Sequence, residues 1–409
     1  MFSSFALPIP RFRFGFGRSK AIEIPSVKIH DIEVESDKRA RRFKHLVKLN
    51  HVNHALLGSA YLLEGSPEHL NDCYDGESKA LVPWEDSPGE IAKHDWKDNL
   101  GNREYQRAYL DFFEDQLVNH GYDWQAVVDE FLLGGREPLV NWLVSDLGHP
   151  LIHLGYAYEV SSREICMEAL TMASVCYSPM HKYIDNSSYR NQPTEYTTSS
   201  PLEAIARIAG DKRFDKLPSS PGGNNFSSLF SDPQLEQAAL NHWNALDIST
   251  DPRSIFQQSQ KLAAAILICS RIESGSSQSH YDFYLVHLLT TSHALRILIP
   301  LLPPAFHLTL FRQWWLITVG YYISQLRPII SYDEVLNYDL KDRGWDYVQK
   351  MGVEGKHSAD AHYVKGLRAL KVAAETWGDE DEEFFLKAAV RFAEEFDGWG
   401  GFTIEGELN

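Results

Sequence analysis

The pattern of apolar and polar positions along the chain is helical almost throughout. Between residues 37 and 64 apolar side chains recur at every third or fourth position, which predicts one helix. The same spacing predicts further helices over residues 66–76, 104–118, 124–133, 138–158, 162–177, 233–245, 253–273, 281–299, 305–325, 332–349, 359–377 and 380–396. No sustained alternation of period two is present, so the sequence predicts an all-α fold.

Prolines and polar stretches refine this pattern. Pro138 stands where a helix would begin, and Pro150 predicts a kink that opens the central helix beside its histidines. The polar stretches 178–200 and 212–232 are predicted to be long loops. Such loops form either a lid over a buried site or a disordered insertion.

Length and charge limit the class of protein. The chain has 409 residues, of which 44% are hydrophobic, enough for a sizeable core. We expect residues 1–35 to be a partly extended N-terminal arm and residues 36–409 to form a single large helical domain with its active site in the centre of the helices. The net charge of −17 argues against a nucleic-acid or anionic-membrane partner, because such binders carry basic surfaces. No apolar run is long enough for a membrane span.

Cysteine usage and the N-terminus bear on the compartment. The four cysteines are scattered, without the paired spacing of a zinc ribbon or a disulfide framework, which indicates a reducing compartment and a cytoplasmic protein. The chain carries basic residues but no acidic residue before Glu23, so organellar targeting is the alternative. Pro8 and Pro10 favour an arm over an amphipathic targeting helix.

Histidines lie among apolar neighbours in four separate segments. His149 and His153 are four residues apart, so on a helix they share a face and could bind one metal ion. The pattern recurs around the other candidates, His51, His54, His287 and His362. Helical proteins assemble metal sites from several helices in this way. The alternative is that each histidine is an ordinary core or surface group.

Lys365 is the other unusual group in these segments. It follows His362 by three residues on an apolar helix, so the two side chains share a face. A buried lysine loses its charge or finds a partner, and a neutral amine can attack CO₂ to form a carbamate, which is an oxygen ligand for a metal. The alternative is a lysine that reaches solvent or pairs with Asp360.

Four ordered motifs resemble the questin oxidase-like family, fungal tailoring enzymes of aromatic polyketide pathways. The motifs are Asn50-His51-x-x-His54-x-Leu-Leu, Gly148-His149-Pro150-Leu151-Ile152-His153-Leu154-Gly155, Asp282-Phe283-x-x-x-His287-x-x-Thr290 and Asp360-Ala361-His362-x-x-Lys365. The resemblance runs over residues 40–402 and includes Asp397-Gly398-Trp399. Ala55 and His293 depart from the family pattern, which bears on the substrate more than on the metal.

The resemblance implies oxidative cleavage of an anthraquinone-type ring, either by a non-haem iron dioxygenase or by an NADPH-dependent Baeyer–Villiger route. It also implies an iron ion held by histidines and a carboxylated lysine, a set that corresponds to His149, His153, His287, His362 and Lys365. His54 is the histidine expected to displace one of these ligands. One of the five histidines would then face the substrate.

Iron is favoured over NADPH because O₂ chemistry needs a redox metal or an organic cofactor, and the chain has no nucleotide-binding fingerprint. The predicted cofactors are therefore Fe(II), with NADPH instead or as well as the alternative, O₂ as co-substrate and, as the resemblance implies, a CO₂-derived carbamate on Lys365. Thr290 and Thr291 follow His287 by one turn and are predicted, with His54, to belong to the catalytic site; either threonine could hydrogen-bond the carbamate.

The predicted partner is an aromatic polyketide. Ten Trp, nineteen Tyr and twenty-one Phe could supply rings that stack on a flat molecule. A non-enzymatic helical protein that binds an aromatic ligand is the remaining alternative. No motif indicates an oligomeric state.

Overall fold

The computed structural model describes residues 21–51, 53–274 and 278–402, and its regular structure is nearly all helical. The all-α prediction is confirmed. The α-helices of the described residues are α1 (Lys38–Val47), α2 (His54–Leu62), α3 (Pro67–Ser78), α4 (Gln106–Asn119), α5 (Trp124–Val127), α6 (His149–Glu159), α7 (Arg163–Val175), α8 (Lys182–Asp185), α9 (Ser187–Arg190), α10 (Pro201–Ala209), α11 (Gly223–Ser231), α12 (Pro233–Ala245), α13 (Pro252–Cys269), α14 (Phe283–Leu298), α15 (His307–Ser324), α16 (Tyr332–Leu336), α17 (Trp345–Glu354), α18 (Ala361–Trp377) and α19 (Phe384–Glu395).

Short elements complete the described structure. The 3₁₀ turns are Arg103–Tyr105, Leu139–Trp142, Asp146–Gly148, Pro179–His181, Lys212–Lys216 and Pro304–Phe306, and one π turn spans Val128–Leu132. The strands are β1 (Ile272–Ser274), β2 (Gln278–Asp282) and β3 (Trp399–Gly400). Strand β2 pairs antiparallel with β1 and parallel with β3, which brings the C-terminal part of the chain to the start of α14.

Helix α14 lies at the centre of the fold. Every side chain from Leu285 to Leu298 is buried, including the polar ones, so α14 has no solvent-facing side over this range. It packs against α6, α13, α15 and α18. Helix α6 is also buried from Pro150 to Glu159. The predicted central helices therefore do form the core.

The described part of the N-terminal arm, residues 21–35, contains no helix or strand. It is nevertheless attached to the core, because Ile22 and Ile32 are buried and the His30 N–H donates to the Glu159 carbonyl at 2.8 Å. The first twenty residues, which carry the basic positions considered for targeting, lie outside the described residues.

The single helix predicted over residues 37–64 is wrong. The segment forms α1 and α2 with a break between them. Asn53 sets the start of α2, because its side chain accepts a hydrogen bond from the Leu56 N–H and caps the helix. The segment predicted as one helix over 332–349 is also divided, into α16 and α17, and Lys341 and Asp342 in the connection have positive φ.

The long helix predicted from Pro138 to Tyr158, with a kink at Pro150, is also wrong. Two 3₁₀ turns come first, and Asp146, Leu147 and Gly148 all have positive φ. Helix α6 begins only at His149, so Pro150 lies in the first turn, where its missing N–H is not needed. The proline therefore opens no gap in the helix.

The two polar stretches predicted as loops contain short helices. Residues 178–200 include α8 and α9, and residues 212–232 include α11. Helix α11 packs on α15, where the Phe226 ring stacks on Tyr321 at a centroid distance of 4.5 Å. In the part of the chain that the structure describes, no helix is both long and apolar enough to cross a membrane.

The requirement for glycine at position 148, directly before α6, can be tested through the stability of the protein. We expect Gly148→Ala to destabilise the protein by about 2 kcal/mol or more, because left-handed backbone disfavours a side chain and overpacking adds to the cost. A Cβ at Gly148, where φ is +82°, would lie 2.2 Å from Cγ2 of Thr291. The matched control is Gly76→Ala in α3, where a Cβ meets no atom within 4 Å and should stabilise by about 0.5–1 kcal/mol. Chemical denaturation measures both, and an equal effect of the two substitutions would contradict the requirement for glycine at 148.

Candidate metal centre

Three of the predicted histidines come together where α6, α14 and α18 begin. One ring nitrogen from each of His149, His287 and His362 lies within 4.8 Å of the other two. The ring centroids of His287 and His362 are 4.8 Å apart, and those of His149 and His287 are 5.2 Å apart. We call these residues the histidine triad. Three imidazoles at this spacing have the chemistry of a transition-metal site.

The hydrogen bonds of the triad leave ligand atoms available. Nδ1 of His287 donates to the Phe283 carbonyl at 2.7 Å, which leaves the lone pair on Nε2. Nε2 of His287 and Nε2 of His362 are buried and have no hydrogen-bond partner among the described residues. Burying an unpaired polar atom is costly, and a metal ion would satisfy both nitrogens. The triad thus fits a bound metal.

His149 lies on a side of the triad that solvent reaches. Its side chain is 24% exposed, whereas His287 is fully buried. Nδ1 of His149 lies 3.7 Å from Oδ2 of Asp146. A carboxylate beside Nδ1 favours a proton on that nitrogen and directs the Nε2 lone pair away from it. Asp146 was not among the predicted site residues, although its position three residues before His149 is a signal for this pairing.

Burial and neighbouring positive charge keep the triad neutral. Burial lowers the pKa of His287 and of His362 well below the usual 6.5, and the charge on Lys365 lowers both further. The pKa of His149 is also lowered by burial, against the opposing effect of Asp146. Neutral imidazole is the form that binds metals, so at neutral pH the triad need not release protons first.

Lys365 lies in the core and is only 1% exposed, so the interpretation as a solvent-facing lysine is wrong. Burial lowers its pKa to about 8, although the charges of Asp360 and Glu77 oppose the shift. The Asp360 carboxylate itself caps α18, where Oδ1 accepts from the His362 and Tyr363 N–H groups at 2.9 Å. A substantial fraction of Lys365 is therefore the neutral amine near pH 8.

His153 and His54 lie outside the group of three. The His153 ring is 6.5 Å from that of His149, and its Nδ1 bonds to the His149 carbonyl at 3.0 Å. Nδ1 of His54 is 2.5 Å from Oε2 of Glu168, while Nδ1 of His51 is 2.5 Å from Oε1 of the same carboxylate. Burial would raise the pKa of Glu168, but His54 and His51 lower it to about 2. The sequence did not indicate Glu168 because it lies on α7, far from both histidines along the chain.

The hydroxyls of Thr290 and Thr291 point back to their own helix. The Thr291 hydroxyl donates to the His287 carbonyl at 2.5 Å, and the Thr290 hydroxyl donates to the Val286 and His287 carbonyls at 3.4 Å. Thr290 lines a small cavity with Glu159 and His293. The Thr291 methyl group packs against Gly148, the residue directly before His149. Thr291 thus contributes packing beside the site.

Aromatic rings cover one side of the triad. Phe283 lies 4.6 Å from His362 and 5.0 Å from His287 by ring centroids. Phe402 and Trp399 lie 5.3 Å and 6.0 Å from Phe283. Such a wall suits the face of a planar aromatic molecule. The aromatic surplus of the sequence predicted rings of this kind but not which ones.

The segments that form this site fall within a region that is similar to known proteins. A family model described as "Questin oxidase-like" matches residues 49–370, which include all three triad histidines and Lys365. The Baeyer-Villiger oxidase AgnL3 of Paecilomyces divaricatus is 23% identical over 79% of this chain and 73% of its own length. The oxidoreductase AflY of Aspergillus parasiticus is 24% identical over 83% of this chain and 71% of its own length.

A questin oxidase of Aspergillus terreus is 21% identical over 84% of this chain and 79% of its own length. These relatives are all named as oxidases or oxidoreductases. The family model covers well over half of the chain. The chain is therefore an oxidoreductase that belongs to the questin oxidase-like family.

Proposed function

We propose that the chain is an oxygen-dependent enzyme that binds Fe(II) at the histidine triad and oxidatively cleaves a ring of an anthraquinone-like aromatic polyketide. The observation that carries this proposal is the pair of buried, unpartnered Nε2 atoms of His287 and His362 beside His149. Imidazole suits Fe(II), and bound Fe(II) would supply the electrons with which O₂ is activated. The names of the relatives support an oxidative reaction.

Lys365 is the proposed fourth donor, as a carbamate. Its ammonium form would repel a divalent ion, and it follows His362 by three residues on α18, on the same face of that helix. In the carbamate, the neutral Nζ forms a bond to the carbon of CO₂, one C=O electron pair moves to oxygen, and Nζ releases a proton. The positive charge is thereby replaced by a negative one facing the triad.

The other residues of the site bind and orient. Asp146 holds the proton on Nδ1 of His149, and the Phe283 carbonyl does the same for His287. A flat substrate would approach on the exposed side at His149 and lie against the wall of Phe283, Trp399 and Phe402. The proposed role of His54 and His153 is to border the site without binding the metal.

A Baeyer–Villiger route is the second candidate, because several relatives carry that name. It would insert one oxygen atom beside a ring carbonyl, while NADPH supplies two electrons and the second oxygen atom leaves as water. The dioxygenase route puts both oxygen atoms into the product and consumes no NADPH. Incubation with anthraquinones under ¹⁸O₂, with and without NADPH, separates the two by the number of labelled atoms.

The first test of the proposal is the metal itself. We expect about one iron per chain in anaerobically purified protein, and we expect His287→Ala and His362→Ala to lose it, because each removes a ligand from a three-histidine set. His94→Ala, at an exposed site, is the matched control and should keep full occupancy. Elemental analysis gives the stoichiometry. Active, folded protein without a transition metal would overturn the proposal.

The carbamate predicts a dependence on CO₂ and pH. Below its pKa of about 8 Lys365 is mostly an ammonium, which cannot attack CO₂. Iron loading should therefore rise as pH is increased from about 6.5 to about 8.5, and added bicarbonate should increase it further. Iron retained per chain after gel filtration measures this. Loading that is independent of both bicarbonate and pH would argue against the carbamate.

Lys365→Met is expected to separate stability from metal binding. Because burial lowers the pKa of Lys365 from 10.5 to about 8, the unfolded chain binds more protons between these values, and the buried ammonium destabilises the fold below pH 8. The metal-free variant should thus be more stable than the wild type at pH 7, by roughly 3 kcal/mol, yet lose iron. Lys350→Met, at an exposed position, should change stability by less than about 0.5 kcal/mol. A destabilised Lys365→Met variant that still binds iron would contradict both expectations.

A further inference from the structure

The segment 397–402, which we call the C-terminal strap, crosses the start of two helices that carry triad histidines. Its strand β3 pairs in parallel with β2, with Tyr281 opposite Trp399 and Asp282 opposite Gly400. The Tyr281 N–H donates to the Gly398 carbonyl at 3.1 Å. The family model ends before this strap, at residue 370. The strap carries the Asp397-Gly398-Trp399 motif noted in the sequence.

Trp399 ties the strap to α18. Its indole Nε1–H donates to Oδ2 of Asp360 at 2.8 Å. The other carboxylate oxygen of Asp360 caps α18 through the N–H groups of His362 and Tyr363. One aspartate therefore connects Trp399 to the backbone of a triad histidine. A carboxylate held at both oxygens has less freedom than one held at a single oxygen.

The same strap is tied to α14 by a second aspartate. Oδ1 of Asp282 caps α14 by accepting from the Leu285 N–H at 2.9 Å. With its amide nitrogen turned toward Asp282, Gln325 donates to Oδ2 of Asp282 at 2.8 Å and to the Gly401 carbonyl at 3.2 Å. A Cβ at Gly401 would lie 2.6 Å from Oδ2 of Asp282, so the strap passes directly over this cap.

These contacts fix the two helix starts relative to each other. His362 is the second residue of α18, and His287 lies one turn into α14, so a shift of either helix start changes the distance between the two rings. The Trp399 ring adds packing, at 6.0 Å from both His362 and Phe283. Groups that hold a ligand through a hydrogen bond commonly govern metal affinity.

We propose that Trp399 is a positioning residue for the metal centre: its hydrogen bond to Asp360 holds His362 at the distance from His287 that a shared ion requires. The inference rests on the proposed function only in that the triad binds a metal. It adds a residue outside the triad that sets the affinity of the site. Trp399 touches no reacting atom in this role.

The test uses metal-free full-length protein titrated with Co(II), followed by its visible absorption. Trp399→Phe keeps an aromatic ring but removes the N–H donor, and it should weaken Co(II) binding about three- to tenfold and alter the spectrum. The matched control is Trp377→Phe at the other end of α18, which removes an indole N–H bond to Gln260 of 2.7 Å. That variant should bind Co(II) as the wild type does.

Asp360→Asn tests the same hydrogen bond from the other side. An asparagine has one acceptor oxygen, which two N–H groups hold at the helix cap against one N–H from Trp399, so the amide keeps the cap, loses the contact with Trp399, and Co(II) binding should again weaken. Because the two residues act through one bond, adding Trp399→Phe to Asp360→Asn should cost less than about twofold more. If Trp399→Phe alone does not fold, Asp360→Asn by itself still tests the bond.

The outcomes are distinct. If wild-type protein binds no Co(II), the metal function itself fails. If the wild type binds Co(II) but Trp399→Phe binds it with unchanged affinity and spectrum, the positioning role is overturned while the metal function stands. Equal weakening by Trp377→Phe, or additive effects of the Trp399 and Asp360 substitutions, would likewise overturn the positioning role, because either result indicates general destabilisation of α18.

Discussion

The site depends on one constraint: neutral imidazoles buried in a helical core must be satisfied by something other than water. Nε2 of His287 and Nε2 of His362 have no partner among the described residues, and burial keeps both rings uncharged. In an interior of low polarity such atoms cost free energy unless a donor or an ion meets them. The fold tolerates that cost at the place where three helices begin, and the surrounding caps and glycines maintain the arrangement.

The backbone before α6 shows how much local structure serves this arrangement. Asp146, Leu147 and Gly148 all adopt positive φ, and for the first two this is a strained conformation. The turn delivers His149 as the first residue of α6 and sets Asp146 beside its ring. If a regular helix ran through residues 146–149, His149 would lie inside the helix and not at its first position. The strain thus has a direct consequence, which is the orientation of the His149 ring.

Helical spacing was enough to predict the all-α fold and most helix centres. It also singled out His287, His362 and Lys365, because each stands out on an apolar helix. It failed to separate His153 from the triad, because both histidines do lie on α6, but Nδ1 of His153 bonds to the His149 carbonyl and its ring stays 6.5 Å from that of His149. The Glu168 pairing and the Trp399 contact join residues more than thirty positions apart, and no local pattern encodes such contacts.

Two buried cations one turn apart on α18 differ in a way that favours the triad, rather than the neighbouring polar cluster, as the proposed reactive centre. Arg368 donates to Glu159 and to Nε2 of His293, and its pKa is raised despite burial because the carboxylate is in contact. Lys365 has the opposite outcome, a pKa lowered to about 8, because Asp360 and Glu77 do not offset its burial. An ion-paired arginine beside a histidine is a stable part of the core. A lysine whose pKa burial lowers carries more of the neutral amine at a given pH, which is the form that the proposed carbamate requires.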